Sequence, residues 1–146
     1  MPLLLHLINE TPRRAPRRLF RQLLGGAYAR RRTAPAAVNL LIVGDERITA
    51  LNAQFLRHNY STDVIAFPDG DDRRGKKQLG DIVVNAELAA REAAARGWRT
   101  EHELALYALH GLLHLLGYDD HAPADYQAMV NAEREEFAAA GLGCKV

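Results

Sequence analysis

The feature that most constrains this sequence is the stretch from His110 to His121, in which two histidines stand four positions apart and a glycine follows. Residues four apart on a helix lie on one face, about 5–6 Å between Cβ atoms. His110 and His114 can therefore offer two imidazoles to one metal ion, as in helical zinc sites. Gly117 permits the left-handed turn that ends a helix. The stretch predicts a helix that ends in a metal site.

Two adjacent side chains are candidates for the third metal ligand. Asp120 and His121 both suit zinc, and Asp120 lies ten residues after the first histidine, the spacing of the third ligand in metzincin proteases. We therefore favour Asp120 over His121, and we expect Asp119 to orient a ligand or to cap the turn. Three protein ligands leave a fourth position open, which is typical of a catalytic zinc.

Gly111 occupies the position at which helical zinc proteases carry their catalytic glutamate. A protease would therefore lack its usual base, and a metalloprotease is kept only as a minor alternative. Any general base must come from a water at the metal or from another part of the chain.

The apolar pattern predicts an α+β fold in a single domain, residues 1–146. Short apolar runs predict four strands, at Leu3–Ile8, Val38–Val43, Thr62–Phe67 and Leu79–Val84. Helical spacing and end signals predict five helices, at Pro16–Arg31, Asp45–Phe55, Ala86–Arg96, Thr100–Gly117 and Pro123–Phe137. Thr100 and Glu103 have the spacing of a capping box, and 69–77 is predicted to be a solvated hairpin loop. We expect a small mixed sheet packed with the helices, and the metal site at the end of the fourth helix.

Composition narrows the class of protein. With 48% hydrophobic and 25% charged residues, the chain is not largely disordered. No apolar run reaches the about 18 residues that a membrane span needs. The single cysteine, Cys144, has no partner for an internal disulfide, which favours a reducing, cytoplasmic setting.

The near-neutral net charge hides an asymmetry. Residues 1–36 contain eight arginines and one acid, Glu10, whereas the remainder has eleven basic and seventeen acidic residues. A basic segment joined to an acidic body suggests that one surface meets a polyanion while another holds cations. The alternative is that these arginines only solvate a helix face.

Three segments of the chain resemble one known family. The motif His110-Gly-Leu-Leu-His114-Leu-Leu-Gly-Tyr-Asp is the most specific of them. The second is Leu51-Asn52 followed by Thr62-Asp-Val-Ile-Ala-Phe-Pro68, and the third is Leu79-Gly-Asp-Ile-Val-Val84. They are similar to the signatures of the YbeY family, the metal-dependent endoribonucleases of ribosomal RNA maturation. The resemblance covers about Val38 to Phe137.

The resemblance implies one zinc ion per chain, held by three ligands, and hydrolysis of single-stranded RNA. It also implies action on the small ribosomal subunit, in 16S ribosomal RNA 3′-end processing and ribosome quality control. His110 and His114 would then be catalytic metal ligands. The family's usual third ligand is a histidine at the position held here by Asp120, which we interpret as a substitution. The family's arginine before the Thr-Asp-Val segment aligns with Leu56, and we assign its phosphate-binding role to the adjacent Arg57.

Several alternatives remain open at this stage. The chain could be a non-catalytic ribosome-assembly or RNA-binding factor in which zinc only staples a turn. Candidate phosphate contacts are Arg57, His58 and the arginines from Arg13 to Arg32, because the planar guanidinium binds phosphate in a bidentate manner. The nucleophile, either water or the ribose 2′-hydroxyl, the native metal and the oligomeric state are not determined by the sequence.

Overall fold

The computed structural model describes residues 2–57, 61–69, 72–73 and 76–143. The strands are β1 (Leu3–Asn9), β2 (Ala36–Val43), β3 (Val64–Pro68), β4 (Asp72–Arg73) and β5 (Lys76–Asn85). The helices are α1 (Arg17–Ala29), α2 (Asp45–Leu56), α3 (Ala86–Arg96), α4 (Thr100–Leu115) and α5 (Pro123–Ala139). The predicted α+β class is confirmed. No helix in the described part of the chain is long and apolar enough to cross a membrane.

The strands form one mixed sheet in the order β1-β2-β5-β3. β1, β2 and β5 run parallel, β3 is antiparallel to β5, and the short β4 also pairs with β5. The sequence missed β4, which falls in the predicted loop 69–77 and consists of two residues. β3 extends through Pro68, where the sequence predicts a stop. A proline is tolerated there because β3 is the last strand in the order β1-β2-β5-β3. Its outer edge needs no N–H donor for a further strand.

The two faces of the sheet are covered unequally. The main core lies between one face and helices α1, α4 and α5, and includes Leu40, Ile82 and Val84 from the strands. A smaller cluster on the other face is closed by Ile48 and Leu51 of α2. Helix α4 is the most deeply buried helix segment, since every residue from Glu103 to Leu109 is buried. It therefore places its C-terminal end rigidly against the sheet.

The start of α4 differs from the predicted capping box. The N-cap residue is Arg99, with no side-chain cap hydrogen bond. Glu103 is fully buried and accepts a hydrogen bond from Trp98 Nε1 at 2.7 Å, while Arg96 Nη1 lies 3.5 Å from its other oxygen. The carboxylate is thus turned into the interior by these two partners and does not reach back to the helix end.

Candidate metal centre

The absence of a side chain at Gly111 lets α4 lie close to the sheet. A Cβ atom at this buried position would stand 2.6 Å from Ile82 Cγ2, too close for that neighbour, and 3.1 Å from Val64 Cγ2, a tight contact. The helix therefore packs directly on β5 and β3, which carries His110 and His114 to the edge of β3. A glutamate at 111 would point into the sheet, so this helix cannot present a base as helical zinc proteases do.

The chain reverses direction at Gly117, as predicted. Gly117 has φ 102°; its N–H donates to the His114 carbonyl, and the Tyr118 N–H donates to the Leu113 carbonyl, both at 3.0 Å. These two bonds form a Schellman motif. Asp119 then accepts the backbone N–H groups of Asp120 at 2.7 Å and of His121 at 3.3 Å. The turn is therefore fixed twice, and it returns Asp120 to the histidines.

Three donor atoms form a compact triangle at the end of α4. His110 Nε2 lies 3.1 Å from His114 Nε2, and Asp120 Oδ2 lies 3.3 Å from the former and 3.5 Å from the latter. A tetrahedral zinc with bonds of about 2.0–2.2 Å separates its donors by about 3.3–3.6 Å. The residues His110, His114 and Asp120 thus fit one such ion, and all three are partly exposed.

Glu133 of α5 orients the first histidine and was not found from the sequence. Its side chain is 4% exposed, and its Oε2 lies 2.9 Å from His110 Nδ1. A carboxylate on Nδ1–H leaves Nε2 free to face Asp120 and His114, an arrangement common behind metal-binding histidines. A signal was present in the helical spacing, because Glu133 lies one turn from both Met129 and Phe137 on the buried face of α5.

The pKa of His110 is raised above its ordinary value. Burial of the ring opposes protonation, but the hydrogen bond that His110 donates to Glu133 and the negative charges of Glu133, Asp63 and Asp120 outweigh that effect. The negative surroundings that favour the imidazolium ion also favour a bound cation. The electrostatic character of the site therefore agrees with its donor geometry.

His121, the alternative third ligand, lines the same cleft but lies outside the triangle. Its side chain is 88% exposed and its Nε2 lies 3.4 Å from Asp119 Oδ1. It groups with Asp119 and Asp120, whereas His110 and His114 group with Asp120. The geometry thus favours Asp120 as the third ligand.

The triangle opens into a cleft of about 650 Å³ between β3, the end of α2 and the motif turn. Asn52, Thr62 and Asp63 add polar groups to its wall, and no arginine or lysine lines it among the described residues. Leu56 lines the cleft, but Arg57 does not. Arg57 is exposed at the left-handed end of α2, with φ 58°. Its predicted phosphate contact stays a prediction.

Two further residues considered from the sequence, His58 and Cys144, lie outside the described residues. Nothing in the structure therefore bears on His58 as a phosphate contact.

Comparison with known proteins places this geometry in a family. The sequence profile of endoribonuclease YbeY matches residues 8–141. Endoribonuclease YbeY of Anaeromyxobacter dehalogenans is 42% identical over 107 residues, covering 73% of this chain and 55% of the relative. Endoribonuclease YbeY of Anaeromyxobacter sp. strain Fw109-5 is 39% identical over 137 residues, covering 93% of this chain and 71% of the relative.

A solved structure supports the fold independently. The solution structure of TM1509 from Thermotoga maritima superposes with a TM-score of 0.59 at 21% identity, covering 94% of this chain and 92% of that one. This likeness concerns the fold alone. The chain spans only about half the length of the first Anaeromyxobacter relative. The sequence profile and the level of identity nevertheless show that the chain belongs to the endoribonuclease YbeY family.

Proposed function

We propose that the chain is a zinc-dependent endoribonuclease specific for single-stranded RNA. In this proposal it acts in the cytoplasm on the small ribosomal subunit, in 16S ribosomal RNA 3′-end processing and ribosome quality control. The observation that carries the proposal is the donor triangle of His110, His114 and Asp120 at the wall of an open cleft. Membership of a family whose members are named endoribonucleases supplies the reaction class.

Each residue of the site has a distinct task. His110 Nε2, His114 Nε2 and Asp120 Oδ2 would hold one zinc ion per chain. Glu133 keeps the His110 ring in the orientation and tautomer that binding requires. The bound ion would lower the pKa of a water molecule and polarise a phosphate oxygen of the scissile bond. Two neutral imidazoles and one carboxylate leave a net charge near +1 at the site, which suits an anionic substrate.

The form of the site favours catalysis over a structural zinc. Structural zinc sites almost always use four protein ligands, whereas this triangle has three described members and borders a cleft of about 650 Å³. The fourth coordination position would therefore face the cleft, where a phosphodiester can approach. The close packing at Gly111 leaves no room for the glutamate on which the protease alternative depends.

The test compares His114→Ala with His6→Ala, a change at an exposed histidine of β1 whose described side-chain partner is Asn39. Zinc content by elemental analysis, cleavage of a labelled single-stranded RNA and thermal unfolding are measured for both variants and for the wild type. We expect His114→Ala to lose zinc and cleavage while keeping the fold, and His6→Ala to retain all three. A chelator should abolish wild-type cleavage.

Two outcomes would contradict the proposal. Cleavage by metal-free protein would remove the ion from the reaction. Coupled loss of zinc and of the folded state in His114→Ala, with no cleavage by the wild type, would instead indicate the non-catalytic zinc staple.

A further inference from the structure

The arginines of residues 1–36 divide into two groups at opposite ends of α1. At the C-terminal end, Arg30 Nε and Arg31 Nη1 donate to the buried carboxylate of Glu136, at 2.8 and 2.6 Å. Arg31 Nε also donates to the Tyr118 hydroxyl at 3.2 Å, and Arg32 Nη2 donates to the Leu116 carbonyl at 3.1 Å. These three arginines fasten α1 to α5 and to the turn of the metal centre.

The other group has no such partners. Its five members are exposed, and none of their side chains has a carboxylate partner among the described residues; they are Arg13, Arg14, Arg17, Arg18 and Arg21. A cluster of like charges held at one end of a helix without counter-ions raises the free energy of the folded chain. The cluster therefore does not contribute to the fold as the C-terminal group does.

Four of these arginines surround a cavity of about 800 Å³ beside the first turns of α1 and α4. A fifth guanidinium comes from the N-cap residue of α4, so the basic residues of the wall are Arg14, Arg17, Arg18, Arg21 and Arg99, with His102 nearby. Its one acidic lining residue, Glu101, lies 3.8 Å from Arg99 Nε. We call this cavity the arginine pocket.

Helix α1 adds to the positive potential of the arginine pocket. α1 and α4 run in the same direction, because their first turns share the pocket and their last turns meet through Arg32 and Leu116. Neither helix has a side-chain N-cap hydrogen bond; α4 carries Glu101 and Glu103 in its first turn, whereas α1 has no acid there. The positive end of α1 thus lies beside the guanidinium groups without a negative charge of its own, and a bound anion would lower this electrostatic repulsion.

We propose that the arginine pocket binds phosphates of a single-stranded RNA, at a site separate from the metal centre. The inference rests on the proposed function for the identity of the polyanion. It also explains how the cleft, whose described walls carry no arginine or lysine, acts on a polyanion. His102 and His110 are eight residues apart on α4, so the pocket lies about 12 Å along the helix axis from the metal centre. We expect a flexible single strand to contact both sites.

The test measures binding of a fluorescein-labelled oligouridylate by anisotropy at several salt concentrations. All proteins carry His114→Ala, which makes the readout independent of cleavage. The variant replaces Arg14, Arg17 and Arg18 by glutamine. Its matched control, with the same change of charge, replaces three exposed arginines of α2, α3 and α5, at Arg47, Arg91 and Arg134. A third protein replaces Arg14, Arg17 and Arg18 by lysine.

We expect the glutamine variant to bind roughly 10- to 100-fold more weakly and to lose about two units of salt slope, because each lost phosphate contact on a single strand removes about 0.7 unit. The lysine variant should keep most of the slope, and the control should match its parent. Equal weakening in the control, or an unchanged slope in the glutamine variant, would overturn the proposal. Circular dichroism verifies that each protein is folded. If RNA binds through the arginines while the wild type cuts none, the proposed function fails and this inference survives as RNA binding.

Discussion

The two ends of the α1–α4 helix pair differ in whether their charged side chains have partners within the protein. At the C-terminal end Glu136 holds Arg30 and Arg31, Glu133 holds His110, and Arg32 donates to the Leu116 carbonyl. At the N-terminal end the arginines before and within the first turns of α1 face solvent with no acidic partner among the described residues, and the one acid that lines the pocket, Glu101, lies beside Arg99. Compensated charges stabilise the structure and position the His110 ring of the donor triangle. Uncompensated charges indicate a ligand that arrives from outside, so pairing separates structural arginines from binding ones within one segment.

The largest expected effect concerns the donor triangle itself. Asp120→Ala should remove zinc from the purified protein, because two imidazoles alone do not complete the ligand set. His121→Ala should leave the zinc content near that of the wild type, since this side chain is 88% exposed and faces Asp119. Elemental analysis of both variants decides the assignment. An empty site in His121→Ala together with a full one in Asp120→Ala would show that the third ligand is His121.

The next largest effect is expected on zinc affinity, and it tests Glu133, the carboxylate that contacts His110. Glu133→Gln should weaken zinc binding by about 10- to 100-fold, because removing a carboxylate behind a metal-binding histidine has costs of that size. Competition with a chromophoric chelator measures the affinity. Glu135→Gln, an exposed change on the same helix, is the matched control. Equal zinc affinities for the two variants would show that Glu133 does not orient the site.

A smaller effect, on the stability of the protein, is expected at Glu136, the carboxylate that pairs with Arg30 and Arg31. Burial would raise the pKa of Glu136, but hydrogen bonds from Arg30 and Arg31 lower it. Glu136→Gln should therefore reduce the free energy of unfolding by about 2 kcal/mol at neutral pH, the usual size for hydrogen bonds to charged groups. Urea unfolding measures the difference, with Glu135→Gln as control.

The stability that Glu136 gains from Arg30 and Arg31 is predicted to depend on pH. Because the folded-state pKa of Glu136 is lowered, its contribution is complete above the unfolded value of about 4.3 and is lost as the pH falls below it. The gap in stability between wild type and Glu136→Gln should close across that range. A gap that stays constant down to pH 3 would mean that the carboxylate charge is not what holds α1 to α5.

The smallest expected effect is a gain in stability, and it concerns the N-terminal end of α1, where the arginines have no acidic partners. Arg18 lies in the first turn of α1, where a positive charge opposes the helix dipole. Arg18→Glu should stabilise the protein by about 0.5 kcal/mol while weakening RNA binding. Thermal unfolding measures the first quantity and anisotropy the second. A loss of stability would show that Arg18 takes part in folding after all.

Local patterns made most of the fold and the grouping of His110, His114 and Asp120 predictable. Apolar periodicity located the helices and the long strands, because burial on one face leaves a direct trace in the sequence. Gly117 could be assigned to the turn since few residues adopt its backbone angle. The ten-residue spacing from His110 to Asp120 then indicated the third donor. Each of these signals lies within about a dozen residues of the feature that it specifies.

Features that depend on packing between elements were missed or misinterpreted. Glu133 approaches His110 from another helix, and Glu136 selects two of the eight arginines in the same way. Glu103 matches the capping pattern, but Trp98 and Arg96 draw it into the interior. In all three cases tertiary packing decides the role of a carboxylate, and helical position alone does not specify its partner.

The most direct test of the metal centre is anomalous diffraction at the zinc absorption edge from crystals grown with zinc. We predict one strong peak per chain, about 2.0–2.2 Å from His110 Nε2, His114 Nε2 and a carboxylate oxygen of Asp120. A peak bound instead by Asp119 and His121, or no peak between the two α4 histidines, would contradict this prediction.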